Sequence, residues 1–229
     1  MHNSGKSTII LALLRLIESS GEINVDQRPL SQIPRSIVRS RAFITVPQEP
    51  LFLPGASLSF NLDPDSLASE EILRDALQSV GIWDALSQIA SANATDPLSQ
   101  AASCLQALSV GQLQLISMAR AVVKKKVLNQ GPEFTDRGGS VPSPKPILLL
   151  DEATSSLDTV AEAKIYDILE SEFIAEGYTV VIVAHRIGVL SEKMRPGKDK
   201  VAWLQDGRVV KVGDYQEIAQ FAASPSNGE

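Results

Sequence analysis

The chain has 229 residues, 44% of them hydrophobic and 21% charged, which suits one large globular α/β domain or two small ones. Its formal net charge of −6 gives no electrostatic reason to expect a nucleic-acid partner. One cysteine excludes an internal disulfide framework, and two histidines without a cysteine pair argue against a structural zinc site. Because no apolar run approaches the roughly 18–20 residues of a membrane-spanning helix, we expect a domain of the soluble type.

The hydrophobic pattern predicts helices and strands that alternate along the chain. The predicted helices are 7–19, 69–79, 82–90, 111–123, 159–173 and 215–222. The predicted strands are 21–26, 42–46, 147–150 and 179–184, followed by a hairpin of 200–205 and 208–212. Strands that alternate with helices and read as continuous apolar runs indicate an α/β fold with a parallel central sheet.

Three further segments differ from their surroundings. Residues 129–146 are rich in glycine and proline, which predicts an exposed, mobile loop. We interpret this loop as an insertion, with an unspliced intron or a gene-model error as the alternative. The run Lys124-Lys125-Lys126 is interpreted as a solvated helix end, and residues 224–229 as a frayed tail.

The N-terminal residues form the second half of a phosphate-binding loop, whose full pattern is a glycine, four residues and then Gly-Lys-Ser/Thr. The nucleotide-binding candidates are Ser4, Gly5, Lys6, Ser7 and Thr8. Lys6 is expected to reach the β- and γ-phosphates, and Ser7 to offer its hydroxyl to Mg²⁺. The first glycine would fall one position before Met1, so we expect an N-terminally truncated chain. The alternative is a chance Gly-Lys-Ser-Thr before an ordinary helix.

An acidic pair follows the most apolar predicted strand, residues 147–150. Asp151 and Glu152 would then lie at the carboxyl end of a central strand, where open α/β sheets bind ligands. Asp151 is expected to hold Mg²⁺, and Glu152 to polarise the water that attacks the γ-phosphorus. The alternative is that this pair caps the next helix.

A second predicted helix start has the character of an anion site. Ser109, Gly111 and Gln112 stand at the beginning of the helix that contains Arg120. A single domain does not need two phosphate-binding helix ends, whereas two domains that face each other head to tail do. The alternative is an ordinary helix capped by Ser109.

Taken in order, these motifs resemble the nucleotide-binding domain of an ATP-binding cassette (ABC) transporter. Residues 108–112, Leu-Ser-Val-Gly-Gln, resemble the signature motif Leu-Ser-Gly-Gly-Gln, and residues 147–151 resemble its Walker B strand. The resemblance implies roles for three more positions. Gln48 resembles the Q-loop glutamine that contacts Mg²⁺ and the attacking water, Asp158 belongs to a D-loop that touches the partner domain, and His185 resembles the switch histidine that contacts the γ-phosphate.

A finer resemblance is to the second, C-terminal nucleotide-binding domain of the multidrug-resistance-associated C subfamily. It depends on residues 47–52, 60–64, 114–115 and 119–121, together with the glutamate at Glu152. The chain departs from the family in three ways. It lacks the strand and glycine before Ser4, it contains no transmembrane or first nucleotide-binding domain, and its loop 129–146 is long.

The resemblance implies a P-loop ATPase over residues 1–223, with a central mostly parallel sheet, a helical subdomain over about 57–123 that carries the signature motif, and a small antiparallel β portion. It implies ATP and Mg²⁺ as cofactors, and export driven by ATP hydrolysis. It implies as partners a second nucleotide-binding domain, head to tail, and transmembrane domains, on the cytoplasmic face of the plasma membrane or vacuole. The alternatives are a truncated, non-hydrolysing remnant and a soluble cassette ATPase that acts on nucleic acid or ribosomes.

Overall fold

The computed structural model describes residues 5–130, 135–136, 139–140, 145–185 and 188–223. The helices are α1 (Lys6–Leu13), α2 (Arg35–Ile37), α3 (Leu58–Leu62), α4 (Glu70–Ser79), α5 (Trp83–Ala92), α6 (Val110–Gln130), α7 (Thr159–Leu169), α8 (Gly188–Lys193) and α9 (Tyr215–Ala222). The strands are β1 (Asn24–Val25), β2 (Arg28–Pro29), β3 (Phe43–Val46), β4 (Thr135–Asp136), β5 (Gly139–Ser140), β6 (Ile147–Asp151), β7 (Val180–Val183), β8 (Val201–Gln205) and β9 (Arg208–Gly213).

The chain divides into two compact units. One unit consists of Met1–Gly21 and His185–Glu229, and contains α1, α8, β8, β9 and α9. The other consists of Glu22–Ala184 and contains all the remaining elements. No helix in the part of the chain that the structure describes is both long and apolar enough to cross a membrane.

A parallel sheet of three strands forms the centre of the larger unit, in the order β3-β6-β7. Its middle strand β6 buries Leu148, Leu149 and Leu150, each with at most 1% of its surface exposed. A strand that is paired on both edges and covered on both faces consists of consecutive apolar residues. The prediction of a parallel central sheet from residues 147–150 is therefore confirmed, as is the α/β fold.

Helix α6 lies against β3, α3, α4 and α7, and it carries the signature-like residues at its first turn. It continues to Gln130, seven residues beyond the predicted end at 123. The first two residues of the predicted loop 129–146 are therefore helical, and β4 pairs with β5 farther along it. The other positions of that loop before Lys145, and the predicted tail 224–229, lie outside the described residues.

The lysine run in α6 is not a solvated helix end, and that interpretation is wrong. Lys125 is 3% exposed, and its ammonium contacts Glu172 at 2.9 Å and Glu176 at 2.8 Å. Burial opposes the charge, but hydrogen bonds and Coulombic attraction from the two carboxylates outweigh it and raise the pKa of Lys125. The ammonium of Lys124 donates to the carbonyl oxygens of Arg39 and Phe43, and burial lowers its pKa.

In the smaller unit, α1 ends at Leu13, well before the predicted end at 19. Arg15 adopts a left-handed conformation with φ of 52°, and its N–H donates to the carbonyl of Ala12. The N–H of Leu16 donates to the carbonyl of Leu11. These two bonds form a Schellman motif, which terminates a helix. The motif normally contains a glycine at the position that Arg15 occupies here, so the end of α1 could not be predicted from the residue pattern.

The predicted C-terminal hairpin and final helix are confirmed. Strands β8 and β9 pair antiparallel across Asp206 and Gly207, which have φ of 50° and 73°. Two consecutive positive φ values are the requirement of a type I′ turn, which explains why the Asp-Gly pair identified the hairpin. Helix α9 covers Tyr215–Ala222 and packs on both strands.

Candidate functional site

The phosphate-loop residues lie at the start of α1. Gly5 caps the helix with φ of 82°, a conformation in which other residues are strained, and Lys6, Ser7 and Thr8 form the first turn. The N–H groups of a first turn have no acceptor within their own helix, and they face a ligand together with the positive end of the helix dipole. This arrangement suits a phosphate. The predicted residue Ser4 lies outside the described residues.

The acidic pair lies where the sequence predicted it, at the carboxyl end of the central strand. Asp151 is the last residue of β6, and Glu152 follows it with φ of 51°. The N–H of Glu152 donates to the carbonyl of Val183 at 2.9 Å, and its own carbonyl accepts from the N–H of Ser155 at 3.0 Å. A left-handed conformation costs a residue other than glycine about 1–2 kcal/mol, so neighbouring bonds hold Glu152 in a strained position.

The alternative role for this pair, as a helix cap, is wrong. The next helix, α7, begins at Thr159, and its cap is Asp158, whose carboxylate accepts from the N–H of Ala161 at 2.8 Å. Six residues therefore separate Glu152 from the helix it might have capped. Asp151 and Glu152 therefore lie at the carboxyl edge of the sheet and not at the start of α7.

Gln48 lies beside the turn that follows β6. It comes two residues after the last residue of β3, which pairs with β6 in parallel, so both strands end at the same edge of the sheet. The amide Nε2 of Gln48 donates to Oγ of Ser155 at 3.3 Å. The strand pairing therefore puts Gln48 at the same edge of the sheet as Asp151 and Glu152. That the three residues share one site stays a prediction.

The signature-like residues form a capping box at the first turn of α6. Oγ of Ser109 accepts from the N–H of Gln112 at 3.2 Å, and Oε1 of Gln112 accepts from the N–H of Ser109 at 2.9 Å. Ser109 therefore caps α6, as the alternative interpretation predicted. This cap does not exclude an anion site at the same place, because the helix end remains at an open surface. A Cβ on Gly111 would lie 3.2 Å from Cβ of Ala161, so glycine permits the close approach of α7.

A cleft of about 350 Å³ separates the first turns of α6 and α7. Its lining comes from both helix starts and the segment before α7: Ser109, Val110, Gly111, Gln112, Leu115, Ser156, Leu157, Asp158, Val160, Ala161 and Lys164. The predicted residues Ser109, Gly111, Gln112 and Asp158 thus share one open surface. They form a second group, because Gln48, Asp151 and Glu152 do not line this cleft. His185 belongs to the smaller unit and is exposed.

Mg²⁺ and ATP fit the residues present. The described residues contain no cluster of three or more histidine, cysteine, aspartate or glutamate side chains that could hold a metal ion alone. Mg²⁺ at phosphate sites ordinarily uses one or two carboxylates and completes its shell with water and substrate phosphates. In the larger unit, the oxygen donors of Asp151 and Gln48 match that chemistry. In the smaller unit, considered by itself, the hydroxyl of Ser7 is a donor of the same kind.

Two residues that hold Gln48 in place were not assigned roles from the sequence. Gln114 in α6 is 1% exposed, and its Nε2 donates to the carbonyl of Pro47 at 3.2 Å. Ser155 receives the amide of Gln48. In the sequence, only their positions pointed to these two residues. Gln114 follows the signature-like motif by two residues, and Ser155 lies between Glu152 and Asp158.

Comparison with known proteins gives one consistent answer. Residues 3–129 match the family described as ABC transporter. A Gibberella zeae protein named ABC transporter FGM5 is 37% identical over 226 residues, which cover 96% of this chain and 14% of that protein. ABC multidrug transporter B of Aspergillus fumigatus is 32% identical over 212 residues, covering 92% of this chain and 12% of that protein.

A solved structure of a bacterial Atm1-family ABC exporter with ATP bound superposes with a TM-score of 0.71 and 25% identity, covering 96% of this chain and 33% of that chain. The fold is therefore that of a P-loop ATPase. The chain belongs to the ABC transporter family, and it corresponds to the ATP-binding domain. It spans about 12–14% of the length of these two relatives.

Proposed function

We propose that this domain binds ATP with Mg²⁺ and hydrolyses it to drive export of a substrate across a membrane. The observation that carries this proposal is the position of Glu152, strained at φ of 51° directly after Asp151 at the carboxyl end of β6. Residues held in sparsely populated backbone conformations cluster at functional sites. A glutamate in this place, one residue after a Mg²⁺-type ligand, is suited to accept a proton from water that attacks a phosphorus atom.

Each predicted site residue then has one task. In the smaller unit, Lys6 and the first-turn N–H groups of α1 would bind phosphate, Ser7 would offer its hydroxyl to Mg²⁺, and His185 would contact a γ-phosphate. Gly5 and Thr8 belong to the same loop, for which Ser4 was also predicted. In the larger unit, Asp151 and Gln48 would offer oxygen atoms to Mg²⁺, and Glu152 would take the proton of the attacking water. Mg²⁺, when bound, would neutralise charge on the phosphate oxygens.

The signature-like cleft supports a second nucleotide-binding domain as partner. Its rim exposes large apolar side chains, since Val110 is 56% exposed and Val160 is 79% exposed. Ser109, Gly111, Gln112 and Asp158 would face the nucleotide of that partner in a head-to-tail dimer. Transmembrane domains would complete the transporter at the cytoplasmic face of a membrane. The segments 47–52 and 60–64 favour the second domain of the C subfamily.

The test compares Glu152→Gln with Glu170→Gln, an identical change at an exposed position at the start of the π-helical segment Glu170–Ile174. Both variants of the 229-residue chain are assayed for binding of a fluorescent ATP analogue and for phosphate release. We expect Glu152→Gln to bind the analogue normally and to lose about 100-fold or more in phosphate release, because its amide cannot accept the proton. Glu170→Gln is expected to behave as the unsubstituted chain does.

Other outcomes identify the alternatives. Unchanged phosphate release in Glu152→Gln contradicts the role of Glu152. Binding without any hydrolysis by the unsubstituted chain favours a non-hydrolysing domain. Co-purification with nucleic acid favours a soluble cassette ATPase.

A further inference from the structure

A buried glutamine ties the signature helix to the segment that contains Gln48. Gln114 is 1% exposed and lies on α6 among apolar residues. Burial of an amide costs several kcal/mol unless it is hydrogen-bonded, so an apolar residue would serve packing alone as well or better. Its Nε2 donates to the carbonyl of Pro47 at 3.2 Å, across 67 positions of sequence. The bond fixes the backbone immediately before Gln48.

The same segment is fastened to α6 a second time, farther along. Arg120 donates from Nε to the carbonyl of Asn61 at 2.7 Å and from its terminal nitrogen to the carbonyl of Leu51 at 3.0 Å. Its guanidinium also lies over the ring of Phe52, 5.1 Å from the centroid. The backbone on both sides of Gln48 therefore has little freedom to move without α6.

The side chain of Gln48 is fixed by a separate contact. Its Nε2 donates to Oγ of Ser155 at 3.3 Å. The backbone N–H of Ser155 in turn donates to the carbonyl of Glu152 at 3.0 Å, which closes the turn that holds Glu152 in its left-handed conformation. With the amide nitrogen engaged, the amide oxygen points elsewhere, and that oxygen is the atom able to ligate a cation.

We propose that Gln114 and Ser155 are positioning residues for Gln48: Gln114 sets the backbone and Ser155 sets the orientation of the amide. The inference rests on the proposed binding of ATP and Mg²⁺. Partners that orient a metal ligand act through that ligand, and their removal typically weakens metal binding about 10–100-fold. Gln114 belongs to the helix that carries Ser109 and Gln112. Its bond to Pro47 therefore also links the signature motif to Gln48, the proposed Mg²⁺ ligand.

The test measures how much Mg²⁺ strengthens nucleotide binding. The dissociation constant of a fluorescent ATP analogue is determined in Mg²⁺ and in EDTA, and their ratio is the readout. The variants of the full chain are Ser155→Ala, Ser155→Thr, Gln48→Ala and the double variant Gln48→Ala/Ser155→Ala. The matched control is Ser91→Ala, an exposed serine whose Oγ donates within its own helix to the carbonyl of Ser87.

We expect Ser155→Ala to reduce the ratio about tenfold, with the constant in EDTA unchanged. Ser155→Thr restores the hydroxyl and keeps the ratio, and Ser91→Ala leaves it unchanged. The double variant should be no worse than Gln48→Ala, because the two residues act as a unit. If Ser155 had only a structural role, Ser155→Ala would lower the melting temperature and leave the ratio of the two dissociation constants unchanged.

Gln114→Met tests the other anchor, since it keeps the volume of the side chain and removes the donor. We expect a lower ratio here as well. Unchanged ratios in Ser155→Ala and Gln114→Met, or additive effects in the double variant, would overturn the inference. Nucleotide binding that depends on Lys6 would still stand in that case. No binding by the unsubstituted chain in either condition would overturn the proposed function and this inference with it.

Discussion

The side chain of Ser109 and that of Gln112 exchange hydrogen bonds with each other's backbone at the first turn of α6, at 3.2 Å and 2.9 Å. The residues that make the signature-like motif are thus the residues that begin the helix. A structural task and a proposed task in phosphate recognition coincide at the same two positions. Substitutions there change stability and function together, so a control with an equivalent cap is needed to separate the two.

Helix α4 provides that control. Its cap Ser69 accepts from the N–H of Ile72 at 3.3 Å, which is the same chemistry away from the cleft. We expect Ser109→Ala and Ser69→Ala each to lower the free energy of unfolding by about 1 kcal/mol, measured by chemical denaturation. Only Ser109→Ala should also reduce ATP hydrolysis. Equal hydrolysis in the two variants would show that Ser109 is only a cap.

The neighbouring lysines of α6 should differ sharply in their effect on stability. Lys125 is 3% exposed between two glutamates, whereas Lys126 is 30% exposed and 3.6 Å from Asp75. Lys125→Met removes one partner of a buried ionic cluster and is expected to cost about 3 kcal/mol. Lys126→Met breaks a surface pair and should cost less than about 1 kcal/mol. Similar unfolding midpoints in urea would contradict the buried placement of Lys125.

Because Glu152 is strained, we expect the glycine variant at this position to be more stable than the alanine variant, which reverses the usual order of stability. In extended or helical backbone, glycine is less stable than alanine by about 0.5–1 kcal/mol. At φ of 51° alanine is strained and glycine is not, so Glu152→Gly should be more stable than Glu152→Ala by about 1 kcal/mol. The adjacent strand residue gives the control, since Asp151→Gly should be less stable than Asp151→Ala. Thermal unfolding of all four variants measures this, and the same order at both positions would refute the strain.

Arg120 should not tolerate lysine. Its guanidinium donates to two backbone carbonyls at once and lies over Phe52, a geometry that a single ammonium cannot reproduce. We expect Arg120→Lys to lower the free energy of unfolding by about 2 kcal/mol. Arg74→Lys, at an exposed arginine over the ring of Trp83, should change it by less than about 0.5 kcal/mol. Equal effects would mean that the two carbonyl contacts contribute nothing.

Sequence reasoning succeeded where a local pattern determines the structure. The short apolar run before Asp151 is typical of a strand buried on both faces, and a strand there puts the acidic pair at the edge of the sheet. The Asp206-Gly207 turn was predictable because few residue pairs accept two positive φ values. Both inferences depend on neighbours in sequence.

Sequence reasoning failed where contacts between residues far apart in the chain determine the structure. The charge of Lys125 is buried because Glu172 and Glu176 lie 47 and 51 residues away in sequence but within 3 Å in space. The end of α1 at Leu13 depends on an arginine in a conformation that usually selects glycine. The proposed roles of Gln114 and Ser155 depend on contacts across 67 and 107 positions, which periodicity does not report.

The most direct test of the account is equilibrium binding of a fluorescent ATP analogue to the unsubstituted chain, to Lys6→Ala and to Lys198→Ala. Lys198 is an exposed lysine of the same structural unit, so it controls for the loss of one positive charge. We predict binding that Mg²⁺ strengthens, a loss of about tenfold or more in Lys6→Ala, and no change in Lys198→Ala. An absence of binding by the unsubstituted chain, or equal binding by all three proteins, would contradict the assignment of an ATP-binding site to this domain.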